Sequence, residues 1–420
     1  MTTKKFFPIR TATACQLKWN WSTLYLNNGT TMSCHRTGNS HLTPENFHNF
    51  HNTDVKIADR TNMLAGKWPE SSCGYCRKIE ETGGFSDRMM HLTIPDQSPP
   101  ELETDPTAVN ISPTILEVFL NNTCNLGCLY CAPFLSSKIA EEDRKFGPLI
   151  SNGRYVIRPV QDKHYETLLP HFWVWFNENF HKLKRFHVLG GEPLYQQEVD
   201  RLLEAIEANP NPDCEFNIIT NLMYPQARLQ KFVEKVKLLI ANKKLKRFDL
   251  TASIDCWGAP QEYVRFGLKV NQWQENFEYL LSEKWIVLNI NQTISPLTIK
   301  TMPELLELLV KWRSVRKVCQ FFSGVTPEPT FLKPDIFGPG VFDDDFKKII
   351  ALMPNTTQEE NNAVSYMTGI WQSIEKSPMN IPEMQNMFAY LNEKDRRRKT
   401  DWRTVFPWLI EYEELCGITK

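Results

Sequence analysis

The 420-residue chain has no strong excess of charge of either sign, because 48 lysine and arginine residues stand against 49 aspartate and glutamate residues. Its formal net charge of −1 argues against a protein that binds nucleic acid or a membrane surface through bulk charge. No apolar run approaches the roughly 20 residues of a membrane span. The N-terminal segment MTTKKFFPIR also lacks the apolar core of a secretory signal. We therefore expect a cytoplasmic protein with no membrane contact and no nucleic-acid partner.

Internal repeats and low-complexity tracts are also missing, and the length allows two or three domains. Two short basic runs, 243–248 and 395–399, are interpreted as solvated helix ends. Cysteine, in contrast, is abundant, since seven of the eleven cysteines lie in the first 131 residues. A reducing cytoplasm does not favour structural disulfides, so clustered cysteines indicate metal or cluster binding. The remaining four are isolated and are interpreted as bystander thiols: Cys214, Cys256, Cys319 and Cys416.

Four regions follow one another along the chain. Residues 1–95 are expected to be a small, loop-rich domain, with a hairpin over 21–34 around an Asn-Asn-Gly turn. The segment 96–113 is rich in proline, acidic residues and serine, which predicts a linker. Residues 114–325 alternate between strand-like and helix-like runs. Residues 326–420 are predicted to be a helical C-terminal extension without a catalytic motif.

The alternation in 114–325 predicts the fold class. The strand-like runs are rich in β-branched and aromatic residues, whereas the helix-like runs have apolar positions three and four apart. A strict β-then-α order implies parallel strands joined by right-handed crossovers. Six such units are too few for an eight-stranded barrel, so we predict an α/β fold with a partial (β/α)6 TIM-like barrel. The predicted strands are 115–120, 185–190, 215–220, 247–254, 285–294 and 317–322, and the predicted helices are 165–183, 196–209, 227–244, 271–284 and 302–315.

Polar residues follow the predicted strands at their carboxyl ends, where parallel α/β folds gather ligands and catalytic groups. The first strand leads into the cysteine loop NNTCNLGCLYC, and the second leads into GGEP at 190–193. We expect five strand ends to converge on one site. The polar residues at the next three ends are Thr220 and Asn221, then Ser253 and Asp255, and finally Asn291.

The cysteine loop is the most specific feature of the sequence. Cys124, Cys128 and Cys131 have C-x3-C-x2-C spacing, and Gly127 stands where the backbone must wrap closely around a bulky group. Thiolates in a short loop are ligands for iron–sulfur clusters. A zinc site would need a fourth ligand, and no cysteine or histidine follows within thirty residues of Cys131. Zinc and three unligated thiols stay open as alternatives.

With Tyr130 before the last cysteine, the loop resembles the signature of the radical S-adenosylmethionine (SAM) superfamily, and the resemblance extends over about 115–325. It implies that Cys124, Cys128 and Cys131 bind a [4Fe-4S] cluster whose fourth iron binds SAM. The resemblance also implies roles for residues at the other strand ends. The GGEP segment, Gly190, Gly191, Glu192 and Pro193, would contact the SAM amino group.

The segment SIDCWGAPQEYVRFG at 253–267 resembles the family's strand-four motif. The resemblance implies that Ser253 and Asp255 approach the SAM ribose and that Arg265 pairs with the SAM carboxylate. A strand-end cap and a solvated arginine are the plain structural alternatives. The weaker candidates for ribose or adenine contacts are Thr220, Asn221 and Asn291.

The N-terminal cysteines resemble a second iron–sulfur site. Along the chain, Cys15 is followed by Gly29 and Cys34 and then by Cys73 and Cys76. This order resembles the opening of SPASM and twitch domains. The resemblance implies an auxiliary [4Fe-4S] cluster in a twitch-like domain, although twitch domains usually follow the barrel. A four-cysteine zinc ribbon is the alternative.

The function that this resemblance implies is reductive cleavage of SAM to a 5′-deoxyadenosyl radical, which abstracts hydrogen from a peptide, protein or small-molecule substrate. Such an enzyme needs a one-electron donor, such as flavodoxin or ferredoxin. The alternative from another class is a non-catalytic binding module stabilised by zinc or clusters. A pure electron-transfer protein would leave GGEP and the 253–267 segment without a role.

Overall fold

The computed structural model describes residues 7–70, 72–93, 97–151, 154–155, 164–325 and 329–418. The predicted domain boundary at 95 and 96 lies outside these residues, as does residue 326, where the predicted C-terminal extension begins. The chain is a mixed α/β protein with a large, mostly parallel sheet and many helices. No described helix is both long and apolar enough to cross a membrane.

The strands of the described residues match the six predicted strands to within a few residues and add short ones. They are β1 (Trp21–Tyr25), β2 (Thr30–Met32), β3 (Ser40–His41), β4 (Ile115–Phe119), β5 (Gly127–Cys128), β6 (Ile150–Ser151), β7 (Arg154–Tyr155), β8 (Arg185–Leu189), β9 (Asn211–Thr220), β10 (Leu245–Ser253), β11 (Arg265–Phe266), β12 (Val287–Ile294) and β13 (Cys319–Val325).

All five predicted helices of 114–325 are confirmed, and helices also occupy the two ends of the chain. The α-helices are α1 (Gln16–Asn20), α2 (Asp54–Leu64), α3 (Gly74–Glu81), α4 (Asp87–Thr93), α5 (Glu101–Thr104), α6 (Ser137–Phe146), α7 (Tyr165–Asn179), α8 (Gln197–Ala208), α9 (Gln226–Ala241), α10 (Gly258–Val264), α11 (Val270–Ser282), α12 (Pro296–Ile299), α13 (Met302–Val315), α14 (Asp343–Leu352), α15 (Gln358–Lys376), α16 (Ile381–Arg398), α17 (Trp402–Val405) and α18 (Ile410–Leu415). Short 3-10 helices are Phe47–Asn49, Phe180–Lys182, Pro193–Tyr195, Thr330–Leu332, Pro334–Phe337 and Pro407–Leu409.

The chain divides into two compact units, each built from several segments. The first unit comprises Met1–Asn122, Gln161–Ile218 and Phe232–Phe248. The second unit comprises Thr123–Val160, Ile219–Lys231 and Asp249–Lys420. The predicted domain boundaries stay predictions.

In the first unit, parallel pairing joins β1 to β4, β4 to β8 and β8 to β9. The hairpin predicted over 21–34 is confirmed, because β1 pairs with β2 in antiparallel register, with Tyr25 opposite Thr30. The predicted strand over 115–120 is therefore flanked by a strand from the N-terminal region. The sequence pattern contained no sign of this pairing, since β1 and β4 are separated by about ninety residues.

The described part of 1–95 contains the helices α1, α2, α3 and α4, which the sequence pattern did not predict. These helices are short and carry few apolar positions, so their periodicity is weak. The segment predicted to be a linker is packed as well. Leu102 and Ile111 are buried in the same hydrophobic cluster as Trp19 and Met63, so burial holds this segment against the N-terminal helices.

An aromatic layer forms the other side of the first unit. Phe172 and Phe176 on α7 are buried, and Phe176 packs 5.1 Å from Phe186 on β8. Phe186 stacks on Phe216 of β9, with ring centroids 5.9 Å apart. The apolar spacing of α7 is thus core packing, which also buries Trp173. Each of these buried rings contributes about 1.5–3 kcal/mol of burial free energy.

In the second unit, β10 pairs in parallel with β12 through residues 249–253, and β12 pairs in parallel with β13. The core beneath these strands is aromatic. Trp273 and Phe277 of α11 stack with centroids 4.8 Å apart, and Phe277 packs 4.7 Å from Trp312 of α13. This packing holds the carboxyl ends of β10 and β12 at the same edge.

The interpretation of the basic run 395–399 as a solvated helix end holds for Arg396 and Lys399, which are exposed, but is wrong for Arg397 and Arg398. The side chains of Lys394, Arg397 and Arg398 on α16 are only 2%, 3% and 4% exposed. Glu142 on α6 pairs with Lys394 and accepts from Arg398 Nε at 2.7 Å. Asp143 lies 3.5 Å from Arg397. A basic run looks solvated in sequence because its acidic partners are more than 250 residues away.

Replacing Glu142 with glutamine is expected to lower stability at neutral pH, because three nearly buried cations lose their shared carboxylate. Burial alone would raise the pKa of Glu142, but Arg398 and Lys394 outweigh burial and hold this pKa below its usual 4.5. The stabilisation is therefore complete above pH 4.5 and is lost as the pH falls through the lower folded pKa.

Urea midpoints of the wild type and Glu142→Gln, measured at about pH 7 and about pH 3.5, test this prediction. The difference between the two proteins should be largest at pH 7. A difference that is the same at both pH values would contradict the assigned ion pairs.

Candidate functional site

The predicted cluster loop is held by a small antiparallel bridge in the second unit. Cys128 in β5 stands opposite Arg265 in β11, and Gly127 stands opposite Phe266. Beyond the bridge, the loop turns back because Cys131 N–H donates to the carbonyl of Cys128 at 3.2 Å. The predicted ligand Cys128 and the predicted SAM contact Arg265 are therefore cross-strand neighbours.

Two N–H groups point at the sulfur of Cys124. The backbone N–H of Leu126 donates to Cys124 Sγ at 3.4 Å, and Asn221 Nδ2 donates to the same atom at 3.8 Å. Asn221 Nδ2 also donates to Asn125 Oδ1 at 2.9 Å. Hydrogen bonds to sulfur stabilise its thiolate form and tune iron–sulfur clusters. Asn221 was predicted to contact SAM, and the structure brings it to the cysteine loop.

The three thiols of the loop repel one another as thiolates. Burial raises the pKa of Cys131 well above its usual value, and Cys128 and Cys124 raise it further. Burial also raises the pKa of Cys128, which the Arg265 guanidinium partly offsets. Three thiolates in this environment therefore need a cationic partner.

The donor set fits an iron–sulfur cluster in its chemistry, since it offers three thiols and N–H donors to sulfur. Among the described residues, however, no group of three or more histidine, cysteine, aspartate or glutamate side chains is placed so that it could hold a metal ion. The cluster on Cys124, Cys128 and Cys131 thus stays a prediction.

Asp255, at the end of β10, is the centre of a buried network. Its carboxylate accepts two hydrogen bonds from Arg265, from Nε to Oδ2 and from Nη2 to Oδ1, both at 2.8 Å. Tyr130 Oη donates to Oδ2 at 2.5 Å, and the Thr293 backbone N–H donates to Oδ1 at 2.9 Å. Each carboxylate oxygen therefore has two donors, which is a strong, charge-assisted arrangement.

This network differs from the arrangement that the family resemblance implies. Asp255 was predicted to approach the SAM ribose, and Arg265 was predicted to pair with the SAM carboxylate. In the structure these two side chains pair with each other, and Tyr130, from the cysteine loop, joins them. The structure thus brings the three residues together, and the charge of Arg265 is neutralised by Asp255.

The other predicted contacts of the second unit lie at strand ends. Ser253 of β10 and Asn291 of β12 are cross-strand partners, and the N–H of Ile254 donates to the Asn291 carbonyl at 3.1 Å. Thr220 is buried and its Oγ1 accepts from the N–H of Leu222 at 3.0 Å. Leu222 has a φ of +59°, a left-handed conformation that is costly for leucine. Strain of this kind is concentrated at functional sites.

The GGEP segment forms a tight turn after β8 in the first unit. Gly190 and Gly191 have φ values of +83° and +55°. Glu192 is buried, and its Oε1 accepts from the N–H of Leu194 at 3.2 Å, which caps the 3-10 helix that begins at Pro193. The expected convergence of this turn with the cysteine loop stays a prediction.

Gly190→Ala is expected to destabilise the protein more than an ordinary glycine replacement. A Cβ at Gly190 would lie 2.8 Å from Phe119 Cδ1 and 3.1 Å from the Phe119 Cα, and it would also have to adopt a positive φ. Gly66→Ala is a matched control, since its φ is +71° but its Cβ would meet no atom within 4 Å.

Gly66→Ala should therefore cost about 1 kcal/mol from backbone conformation alone. Gly190→Ala should cost clearly more, and urea midpoints of both variants measure the difference. Equal midpoints would show that Phe119 does not restrict this turn.

Helix α16 contacts the cysteine loop through residues that the sequence analysis did not name. The hydroxyl of Tyr390 donates to the backbone carbonyl of Leu129 at 2.5 Å. The guanidinium of Arg398 lies 4.8 Å from the centre of the Phe266 ring, and its Nη2 would lie 3.2 Å from a Cβ at Gly127. Gly127 thus permits close approach by a side chain of this helix. No motif in the C-terminal region indicated the contact.

A polar group in the first unit was also missed. Glu117 of β4 is 4% exposed and stands between Thr23 of β1 and His187 of β8 in the parallel register. Thr23 Oγ1 donates to Glu117 Oε1 at 3.0 Å, and His35 Nε2 lies 3.3 Å from the same oxygen. A glutamate inside the apolar run ILEVFL was the available signal.

The N-terminal cysteines lie in the first unit. Cys15 is buried, and Cys34 and Cys73 pack against the same hydrophobic cluster. Burial raises the pKa of Cys15 to about 12, and Cys34 and Cys73 contribute to the rise. Cys76, on α3, and Cys73 both repel the thiolate of Cys34. An auxiliary cluster on these four residues stays a prediction.

No family model matches the chain, and no curated protein matches it. Several solved structures are similar at low identity, among them the following three. SuiB from Streptococcus suis has 16% identity and a TM-score of 0.38, over 90% of this chain and 71% of that chain. SuiB bound to precursor peptide SuiA has 16% identity and a TM-score of 0.33, over 59% and 52%. Coproporphyrinogen III oxidase (HemN) from Escherichia coli, a radical SAM enzyme, has 14% identity and a TM-score of 0.31, over 62% and 52%.

In two of these three comparisons the chain spans about half the length of the neighbour. At these identities and TM-scores, the similarities assign no family to this chain.

Proposed function

We propose that this protein is a radical SAM enzyme with a partial (β/α)6 barrel. In this proposal Cys124, Cys128 and Cys131 hold a [4Fe-4S] cluster and the chain binds SAM beside it. When bound and reduced, the cluster supplies the electron that cleaves SAM into methionine and a 5′-deoxyadenosyl radical, which abstracts hydrogen from the substrate.

The observation that carries the proposal is the connection between the cysteine loop and the end of β10. The pairing of Cys128 with Arg265, and the hydrogen bond from Tyr130 to Asp255, join two motifs that are about 125 residues apart. A metal-binding loop that served only to stabilise the fold would not need this connection. The motifs match the residues that the family resemblance pairs at one site.

The side chains around the loop have distinct tasks in this proposal. Asn221 and the backbone of Leu126 donate to Cys124 Sγ and so stabilise a thiolate ligand. Asp255 holds Arg265 in place through the bidentate pair, and it holds Tyr130 through the hydrogen bond that the tyrosine hydroxyl donates. Tyr390 fixes the backbone of the loop at Leu129. These contacts bury the loop from one side, which excludes water from the reacting groups.

The remaining parts of the proposal concern the first unit and the partners. Gly190 and Gly191 give the turn that would let backbone acceptors approach the SAM ammonium, with Glu192 as its carboxylate. Cys15, Cys34, Cys73 and Cys76 would hold an auxiliary [4Fe-4S] cluster. The electron would come from flavodoxin or ferredoxin, and the substrate would be a peptide, a protein or a small molecule.

Anaerobic incubation of iron-reconstituted protein with SAM and dithionite tests the proposal. We expect 5′-deoxyadenosine and methionine in equal amounts, measured by liquid chromatography with mass spectrometry. Parallel metal and sulfide analysis separates the alternatives, because two clusters require about eight irons per chain and a zinc module would contain zinc instead. A fully reconstituted protein that forms no 5′-deoxyadenosine would refute the proposal.

A further inference from the structure

A cavity of about 200 Å³ lies in the first unit. Its lining includes two lysines, Lys18 and Lys56, one aspartate, Asp59, and several hydroxyl groups, among them Ser33 and Ser72. These five residues are all at least 90% buried. A cavity of about 150 Å³ already admits a molecule the size of benzene, so a small organic ligand fits here.

The ion pair in the wall balances only one of the two ammonium groups. Lys18 Nζ pairs with Asp59 Oδ2 and donates to Ser72 Oγ at 3.1 Å. Ser72 Oγ in turn donates to Asp59 Oδ2 at 2.8 Å. The bonds to Asp59 and Ser72 use two of the three donors of the Lys18 ammonium.

Among the described residues, Lys56 has hydrogen bonds to neutral groups alone. Its Nζ donates to Ser22 Oγ at 2.9 Å, to Thr31 Oγ1 at 2.8 Å and to the Phe50 carbonyl at 2.8 Å. Burial lowers the pKa of Lys56 well below its usual range, and the charges of Arg60 and Lys18 lower it further. A buried ammonium without a carboxylate is costly, and an anion nearby would offset that cost.

The hydroxyl of Ser33 is an independent sign of a ligand. Ser33 is 2% exposed, and its Oγ has no hydrogen-bond partner within the described part of the chain. Buried polar atoms are nearly always paired, so an unpaired hydroxyl in the wall of a polar cavity indicates a missing partner. That partner must fit beside Lys56 and beside Lys18, whose ammonium group has one N–H donor left.

We propose that this cavity binds the carboxylate group of a small organic acid, which accepts hydrogen bonds from Ser33 Oγ and Lys18 Nζ. Two lysines and one carboxylate line the cavity. A bound anion favours the charged form of Lys56, and with both lysines protonated a single negative charge balances the wall and a second would exceed it. This charge count favours a carboxylate over a phosphate dianion. The cavity adjoins the cysteines proposed for the auxiliary cluster, because Ser33 and Ser72 directly precede Cys34 and Cys73 and Ser72 Oγ lies 3.5 Å from Cys73 Sγ, but it needs neither SAM nor the loop at 124–131.

Isothermal titration calorimetry on the full-length protein, without SAM or reductant, tests the site with sodium benzoate as the probe. We expect saturable binding of benzoate and no binding of benzamide, which has the same shape but no charge. Inorganic phosphate, titrated separately, should bind more weakly than benzoate.

Two variants assign the binding to this cavity. Ser33→Ala removes the unpaired hydroxyl and leaves the Lys18–Asp59 pair intact, so we expect binding to weaken about tenfold, as for a lost hydrogen bond to a charged group. Thr30→Val is the matched control, because Thr30 Oγ1 is also buried without a partner in the described residues but does not line the cavity. Its affinity for benzoate should equal that of the wild type.

Three results would overturn the proposal: no saturable binding of benzoate to the folded wild type, equal binding of benzamide, or unchanged affinity in Ser33→Ala. Tighter binding of phosphate than of benzoate would overturn the assignment to a carboxylate. Circular dichroism of each variant verifies that it is folded before titration.

Discussion

Cys128→Ser is expected to lose about four irons per chain after reconstitution and to form no detectable 5′-deoxyadenosine. Serine preserves the size of the side chain and the backbone pairing of residue 128 with Arg265. It replaces a thiolate with an alcohol that does not ionise at neutral pH. A cluster with three protein ligands cannot lose one of them without loss of affinity.

Cys319→Ala is the matched control for this variant. Cys319 is partly buried, like Cys124 and Cys131, but it lies on β13 and belongs to neither predicted ligand set. Its iron content, electron paramagnetic resonance signal and product formation should equal those of the wild type. If Cys128→Ser kept its full iron content, or if Cys319→Ala lost iron to the same extent, the assignment of the loop would be wrong.

Asp255→Asn is expected to have the largest effect on stability, about 3–5 kcal/mol of unfolding free energy. Asp255 is fully buried and the Arg265 side chain is 9% exposed, so the guanidinium would be left without its counter-charge. Asparagine has the same shape and can still accept hydrogen bonds, which limits the change to the charge and one acceptor. At roughly 2–4 °C per kcal/mol, the melting temperature should fall by about 6 °C or more.

An exposed ion pair supplies the control. Asp344 is 87% exposed and pairs with Lys347 at 3.1 Å, so Asp344→Asn should change stability by less than about 1 kcal/mol. A double variant, Asp255→Leu with Arg265→Met, removes both charges and should be more stable than Asp255→Asn. A melting temperature of Asp255→Asn equal to that of the wild type would show that the pair is not formed in solution.

The Asp255 network also predicts a consequence for the site. Tyr130 lies one residue before Cys131, and its hydroxyl is bound to Asp255. Asp255→Asn should therefore reduce iron retention as well as stability. Asp344→Asn, with the same change of residue type on the surface, should retain its iron.

Much of the sheet could be predicted because buried parallel strands appear as continuous apolar runs. The run over 115–120 is apolar except for Glu117, whereas 185–190 has alternating apolar residues, and the predicted boundaries of both agree with β4 and β8 within one residue. The helices between them have clear apolar faces. In contrast, β5 and β11 contain two residues each, which is too short for any periodicity to appear.

The surroundings of the cysteine loop could be predicted only in part. The motif residues Tyr130, Asp255 and Arg265 could be named from the sequence, but the pairing of Tyr130 with Asp255 could not, because a hydrogen bond over 125 residues leaves no local pattern. For the same reason, the sequence did not reveal that Tyr390 and Arg398 of α16 contact the cysteine loop. A charged residue such as Arg398 is also expected on the surface unless its acidic partner is known. Asp255 and Arg265 are only ten residues apart, but the family resemblance assigned both of them to SAM.

The parallel pairing of β1 with β4 limits how the protein can be shortened. β4 has β1 on one side and β8 on the other, so a chain that started at residue 96 would present a bare row of backbone amides and carbonyls along β4. Such an exposed edge invites pairing with another copy and hence aggregation. Backbone hydrogen bonds thus join the segment between Cys15 and Cys34 to β4, and a shortened protein that keeps β4 should also keep this segment.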